Sequence, residues 1–283
     1  MNTEQGKMSV KNNKKKNWII PAAVLVVFVL WSLWFWVPVT ETIRLDPPDG
    51  SDQTVRIALI TDLHSCWYGK DQKDLIDRIE KEEPDFVLLG GDIFDDVLKD
   101  ERAETVIRQL VPKYPCYYVT GNHEYWSERV DEMKAYLSDA GVHVLAGDCE
   151  TLTVKGRSFD ICGVDDPTRM MEADWQDQLK QAWEQTNEDH VKILVSHRPE
   201  LIEEYGKYDF DLVVTGHAHA GQFRIPFVNI GLYAPNQGAF PRYVSGTYPL
   251  ENGGTMVVSR GLARESTPAP RYFNHPELVM IEM

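Results

Sequence analysis

No two of the four cysteines, Cys66, Cys116, Cys149 and Cys162, stand in a C-x-x-C pair. That excludes a zinc ribbon and a thioredoxin-type redox motif. Cys116 and Cys162 lie inside apolar, strand-like runs, where buried free thiols are expected. Internal repeats are absent, and the one biased tract is a lysine-rich stretch near the N-terminus. Positive charge is scarce. The 283 residues carry a net charge of −15, and beyond residue 40 there are 24 Lys and Arg against 43 Asp and Glu, a net of −19. So acidic a surface repels a phosphate backbone, so general nucleic-acid binding is not expected.

Charge is missing altogether from Trp18 to Val37, directly after Lys7, Lys11, Lys14, Lys15 and Lys16. A helix of about twenty residues spans about 30 Å, the thickness of a hydrocarbon core. Trp18, Trp31, Trp34 and Trp36 weight its ends as interfacial anchors do, and Pro38 closes the run. A twin arginine is absent, and bulky Trp, Phe and Val occupy the place where a cleavage site needs small residues. The expectation is an uncleaved single-pass signal anchor over 18–38, with a lysine-rich cytoplasmic tail over 1–17. A linker over 39–53, stiffened by Pro47 and Pro48, leads to a folded domain over 54–283. By the positive-inside rule that domain lies on the extracytoplasmic side of the cell membrane.

The domain is long enough for one large unit with a full core. Apolar runs at 54–61, 85–89 and 116–120 read as strands. They alternate with helical spacing over 70–83, 102–111 and 127–140, the last with Ser127 as a candidate N-cap. This β-α order predicts a largely parallel sheet. Short, close-spaced strands follow at 142–145, 150–154 and 159–164, then a helix over 171–186. Strands at 191–195, 211–215, 255–259 and 277–281 complete the chain. Two mixed sheets face to face, with helices outside, fit this order.

Five blocks hold most of the metal-seeking side chains: Asp62-Leu63-His64, Gly90-Gly91-Asp92, Gly121-Asn122-His123-Glu124, Ser196-His197 and Gly216-His217-Ala218-His219. Each follows an apolar strand-like run, and strand ends in α/β sheets are where sites assemble. Asp62 and His64, one residue apart, can turn to one ion. Asp92 has two carboxylate oxygens and can bridge two. Asn122 offers a neutral amide oxygen, and His197, His217 and His219 offer imidazole nitrogens. This N and O donor set, without sulfur, suits Mn, Fe or Zn. A lone D-x-H or H-x-H carries little weight; all five blocks in order carry much more. Cys66, His143, His190 and His275 stand outside the set. Trp67 and Tyr68 could line a substrate wall or pack in the core, and Arg198 or Arg260 could meet a phosphate.

The blocks resemble the calcineurin-like metallophosphoesterase superfamily, whose pattern D-x-H, G-D-x-x-D, G-N-H-[ED], a lone H and G-H-x-H is present here as Asp62/His64, Gly91-Asp92 with Asp95, Gly121 to Glu124, His197 and Gly216 to His219. The anchor, the DLHS start and the GHAHAGQ ending are similar to its bacterial membrane-anchored class III phosphodiesterase group. The resemblance implies a four-layer αββα sandwich and two divalent metal ions. One ion would take Asp62, His64, His219 and the bridging Asp92, the other Asp92, Asn122, His197 and His217. It further implies that His123 protonates the leaving oxygen. Asp95 either orients His123 or is an ordinary loop carboxylate. Two such ions activate water and neutralise phosphoryl oxygens. The function expected is therefore phosphoester hydrolysis, as a phosphodiesterase at the membrane surface. The alternatives are a pyrophosphatase of a lipid-linked sugar nucleotide, acting on a cell-wall precursor, and a membrane-tethered binding protein without turnover.

Overall fold

The computed structural model describes residues 20–27, 34–225, 230–266 and 271–283. Two six-stranded sheets organise the chain. The first has strands β1 (Val39–Arg44), β2 (Arg56–Ile60), β3 (Phe86–Gly90), β4 (Cys116–Val119), β5 (His143–Val144) and β14 (Glu277–Glu282), in the order β1-β14-β2-β3-β4-β5. The second has β6 (Asp148–Val154), β7 (Arg157–Gly163), β8 (Val191–Val195), β9 (Leu212–Thr215), β12 (Gly246–Pro249) and β13 (Thr255–Val258), in the order β12-β13-β9-β8-β7-β6. Both are mixed. β2 through β5 run parallel with β14 antiparallel to β2, and β7, β8, β9 and β13 run parallel between antiparallel β6 and β12.

Strand alternation builds three apolar layers. In β2, Ile57 and Leu59 face the second sheet while Ala58 and Ile60 face helices; in β8, Ile193 and Val195 face inward and Leu194 outward. The middle layer joins Phe86, Leu88 and Val119 to Phe159, Leu212 and Val257. Each fully buried side chain of this kind stabilises the fold by roughly 1.5–3 kcal/mol. The outer layers are covered by amphipathic helices. Helix α1 (Lys73–Lys81) buries Leu75, Ile76 and Ile79, and α2 (Glu101–Leu110) buries Val106, Ile107 and Leu110. Between them and the helices that follow lies the short α3 (Asn122–Trp126). Helix α4 (Val130–Ala140) buries Met133 and Leu137 and ends at Gly141, whose φ of 96° suits a left-handed cap. On the other face α5 (Glu172–Glu184) buries Trp175, Leu179 and Ala182. The four-layer expectation agrees with this arrangement.

Several expectations are corrected. Part of the stretch read as a linker over 39–53 is strand β1, paired in parallel with β14 from Val39↔Glu277 to Arg44↔Glu282. It lacks the apolar alternation of a core strand because it is an edge strand, only partly buried. The helix expected over 70–83 begins as a 3-10 turn, and Asp71 and Gln72 take positive φ before α1 starts. Ser127 does not cap a helix at its N-terminus; it closes α3, donating to Glu124 O at 2.7 Å and accepting from Arg129 N at 3.1 Å. Cys162 is not a free thiol. It is bonded to Cys149, directly opposite on β6, whereas Cys66 and Cys116 are free and buried. Tyr68 is a packing residue, buried with its hydroxyl on Leu262 O. The span expected over 18–38 falls partly outside the described residues. Residues 20–27 are helical, and among the described residues no helix is long and apolar enough to cross a membrane.

Candidate metal and active site

The parallel strands of both sheets aim their C-terminal ends at one edge of the molecule. β2 delivers Asp62 and His64, β3 delivers Asp92, and β4 delivers Asn122 and His123. β8 delivers His197, and β9 delivers His217 and His219. The two sheets touch there. Asp62 N donates to Gly91 O at 3.0 Å within the first sheet, and His197 Nδ1 donates to Gly90 O at 2.9 Å across to it. The approach needs glycine. A Cβ on Gly91, at φ 87°, would lie 2.6 Å from His197 Nδ1, and one on Gly261, at φ 72°, would lie 2.5 Å from Asp62 Cβ.

Asp62, His64, Asp92, His217 and His219 all take positive φ, between 44° and 61°. A non-glycine residue held there costs roughly 1–3 kcal/mol, and such strain is typical of functional sites. Glu124 helps to offset it. Its buried carboxylate accepts four backbone N–H groups: Oε1 from Ile93 at 2.8 Å and Phe94 at 3.1 Å, Oε2 from Gly121 at 2.9 Å and Asp92 at 3.0 Å. Burial and the Asp92 charge push this carboxyl up to about 8, while the backbone donors pull it down. Its position in the third block is visible in the sequence, but its role is not.

The side chains converge in three groups, Asp62 with His64 and His219, Asp92 with His197 and His217, and Asp95 with His64 and His123, each with ligand-type atoms within 4.8 Å of one another. Asp62 Oδ1 lies 3.1 Å from His219 Nε2 and 3.9 Å from His197 Nε2. Asp92 Oδ2 lies between the first two groups, 3.1 Å from His197 Nε2 and 3.6 Å from His64 Nε2. Burial raises both carboxyls, but nearby imidazoles win: His219 and His197 hold Asp62 below the usual range, and His197 and His64 hold Asp92 well below it. Burial lowers His197 less than Asp92 and Asp62 raise it, to about 10. Burial, His197 and Arg198 together push His217 down to about 3, leaving it neutral.

The donor set fits cations. Asn122 Oδ1 is buried without a hydrogen-bond partner, an arrangement that costs stability unless something answers it. His64 Nδ1 donates to Asp95 Oδ1 at 3.1 Å, which turns Nε2 inward toward His219 Nε2 at 3.3 Å. Asp95 is thus brought to the site. It orients His64 directly and stands 3.4 Å from His123 Nδ1, whereas Asp96, which the sequence did not single out, is the closer partner of His123 at 2.7 Å. Burial lowers His123, and Asp95, Asp92 and Asp96 outweigh it and raise it to about 9. With a fifth of its side chain exposed, His123 is the open member of the group.

Both arginines named as phosphate contacts have partners within the fold. Arg198 is buried and pinned by Asp166 and Thr168, with Nη1 on Asn236 Oδ1 at 2.5 Å and 2.9 Å from His217 Nε2. Arg260 pairs with Glu277 at 2.7 Å. Asn236 also stands 2.9 Å from His217 Nε2, carried there by the hairpin of β10 (Tyr233–Ala234) and β11 (Gly238–Ala239). No sequence motif marks it.

Residues 55–221, which include all seven metal-ligand candidates, match the model of the calcineurin-like phosphoesterases. The chain belongs to this family. The chain is 28% identical over 207 residues to "Phosphodiesterase YaeI" of Escherichia coli, covering 72% of each chain. It is 26% identical over 243 residues to the metallophosphoesterase YkuE of Bacillus subtilis, covering 83% of this chain and 81% of that one. It spans about half the length of two Helicobacter pylori metallophosphoesterases, 48% of one and 55% of the other. Among solved structures, the NAD nucleotidase NadN of Haemophilus influenzae aligns with a TM-score of 0.50 at 17% identity, over 75% of this chain and 46% of that one, which shows a shared fold.

Proposed function

We propose that this chain is a dinuclear metal-dependent phosphodiesterase held at the outer face of a membrane by its N-terminal segment. The observation that carries the reading is the placement of Asp92 Oδ2 between His64 and His197, which belong to the two donor groups that it joins. One ion would be held by Asp62, His64, His219 and Asp92, the other by Asp92, Asn122, His197 and His217. Bound Mn, Fe or Zn would supply activated water and charge neutralisation at phosphorus.

The chain's own residues supply the rest. His123, protonated near neutral pH, donates to the departing oxygen. Asp96 and Asp95 hold its Nδ1 proton, which leaves Nε2 as the atom that donates. A groove of about 530 Å³ beside His217, walled by Trp126, Pro167, Leu201 and Pro235, offers room for one ester substituent. The likeness to YaeI supports a diester. Outer-face placement is supported by the Cys149–Cys162 disulfide, a bond that persists in oxidising compartments. The acidic domain behind a lysine-flanked apolar run supports it too. A relative 30% identical over 242 residues, covering 80% of this chain and 51% of its own length, is named "Transmembrane protein with metallophosphoesterase domain" in Bos taurus.

The test is hydrolysis of bis-p-nitrophenyl phosphate by the full chain in detergent, with Mn, Fe or Zn added. Turnover that vanishes on chelation is expected. A metal-loaded, folded chain inert with every divalent ion would favour the tethered binding protein instead. A lipid-linked sugar pyrophosphate cleaved in preference to the diester would favour the pyrophosphatase.

A further inference from the structure

An apolar surface lies beside the site and takes no part in it. Between Asp211 and Glu251 the chain runs 39 residues without an acidic side chain, in a domain whose net charge is −19. Within that stretch Phe223, Ile230, Leu232, Tyr233 and Phe240 are exposed, Tyr233 to 60% and Phe240 to 67%. Backbone hydrogen bonds join them into one patch: Leu232 N donates to Phe223 O at 2.9 Å, and Phe240 N to Leu232 O at 3.0 Å. The only Lys or Arg in the stretch are Arg224 and Arg242, the latter exposed over the Tyr243 ring.

Two connections say what covers this patch. The first is to the N-terminal apolar run. Where that run enters the domain, Phe35 packs on Phe273 at 5.2 Å between ring centroids and Trp34 on His275 at 6.0 Å, and Phe273 in turn meets Phe223 at 6.5 Å. The second is to the site, since the hairpin that exposes Tyr233 carries Asn236 to His217 at its turn. An exposed, acid-free aromatic patch continuous with the root of an apolar run has the chemistry of a membrane-interface element.

We propose that the patch of Phe223, Ile230, Leu232, Tyr233 and Phe240 docks on the outer leaflet of the bilayer that the N-terminal run enters. This rests on the membrane-anchored reading given above. The mouth of the site then lies at headgroup level, and a phosphodiester on a lipid reaches it without leaving the membrane. Arg242 adds attraction to anionic headgroups.

The test uses the full chain in phospholipid vesicles with a fluorophore on Tyr233→Cys or, separately, Phe240→Cys. Asp189→Cys is the control, an exposed position just before β8 at the opposite end of the sheet. The native cysteines are buried or bonded, so labelling is directed to the new thiol. Interfacial side chains sit roughly 5–10 Å into the headgroup boundary. Both test labels should therefore be quenched by doxyl lipid labelled near the headgroup, more than by lipid labelled near the chain end, and the control should not respond. Unquenched labels at both test positions in a chain that floats with the vesicles would overturn the docking surface and leave the anchor standing. Equal quenching at all three positions would also overturn it. A chain that does not float would overturn both readings.

Discussion

Replacing Glu124 by glutamine exchanges one carboxylate oxygen for an NH2 group and leaves the shape nearly unchanged. In the fold each oxygen accepts two backbone N–H groups, Ile93 and Phe94 on Oε1, Gly121 and Asp92 on Oε2. Whichever way the amide turns, two buried donors then face another donor. At about 1–3 kcal/mol for each unsatisfied group, the variant should lose about 2–6 kcal/mol when unfolding is followed above about pH 8, where the Glu124 carboxyl is ionised. Total stabilities are roughly 5–15 kcal/mol, so a loss of that size is easily read in urea unfolding. The lost bonds sit under Asp92, the carboxylate shared between the two donor groups, so cation content by elemental analysis should fall as well. A Glu124→Gln chain within about 1 kcal/mol of the parent and fully loaded would refute the reasoning. It would mean that burial and the Asp92 charge keep the carboxyl neutral even there.

His123→Asn should keep its cations and its unfolding midpoint while lowering kcat about 10²–10⁴-fold, the usual worth of a general acid; loss of metal in a folded variant would move His123 into the ligand set. Asp96→Asn removes one of the three carboxylates that raise His123 to about 9, so the alkaline limb of the kcat–pH profile should move to lower pH. An unmoved limb would take Asp96 out of the relay. Reducing the Cys149–Cys162 bond, which closes a sequence separation of 13, should cost about 2–4 kcal/mol in urea unfolding; equal midpoints with and without reductant would show that pairing of β6 and β7 suffices alone. Cation binding must displace the proton that Asp92 and Asp62 hold on His197 up to about 10. Affinity should therefore rise with pH, by about a decade per unit for one proton released, in competition titrations from pH 6 to 8. A flat response would show that His197 is neutral before binding.

The strands that position the site were legible because they are buried on both faces. Runs such as Val191–Val195 and Phe86–Gly90 have every residue buried, and their apolar composition marks them. Of the four edge strands, β5 and β6 were read at 142–145 and 150–154, whereas β1 and β12 were not. β1 has no buried residue, and β12 alternates between half-buried and exposed residues, so neither carries a hydrophobic period. A soluble piece starting at Pro47 would remove β1 and expose the edge of β14. The ligand set was legible because paired Asp and His recur at strand ends with fixed spacing. Asp96, Asn236 and Glu124 were not singled out for roles, because each acts through a contact made across the fold or through backbone groups. The Cys149–Cys162 bond joins residues facing each other on adjacent strands, a register the spacing alone does not reveal.

Why the site sits where it does follows from charge and backbone together. Two fully buried carboxylates, Asp62 and Asp92, are packed among four imidazoles. Protons alone balance them unevenly. One imidazole, His197, is raised to about 10, while its neighbour His217 is driven down to about 3 by burial and by the His197 and Arg198 charges. A pocket that can protonate one histidine only at the expense of the next is better matched to multivalent cations, which neutralise several ligands at once. All of these residues except His197 sit at positive φ, a conformation the strand ends would not choose on their own. Glu124 holds one of those turns by its backbone, and Gly91 and Gly261 let the second sheet approach closely enough to complete the donor set. Five such positions gather at the edge where the sheets meet, and the fully buried strands behind it keep that edge from relaxing.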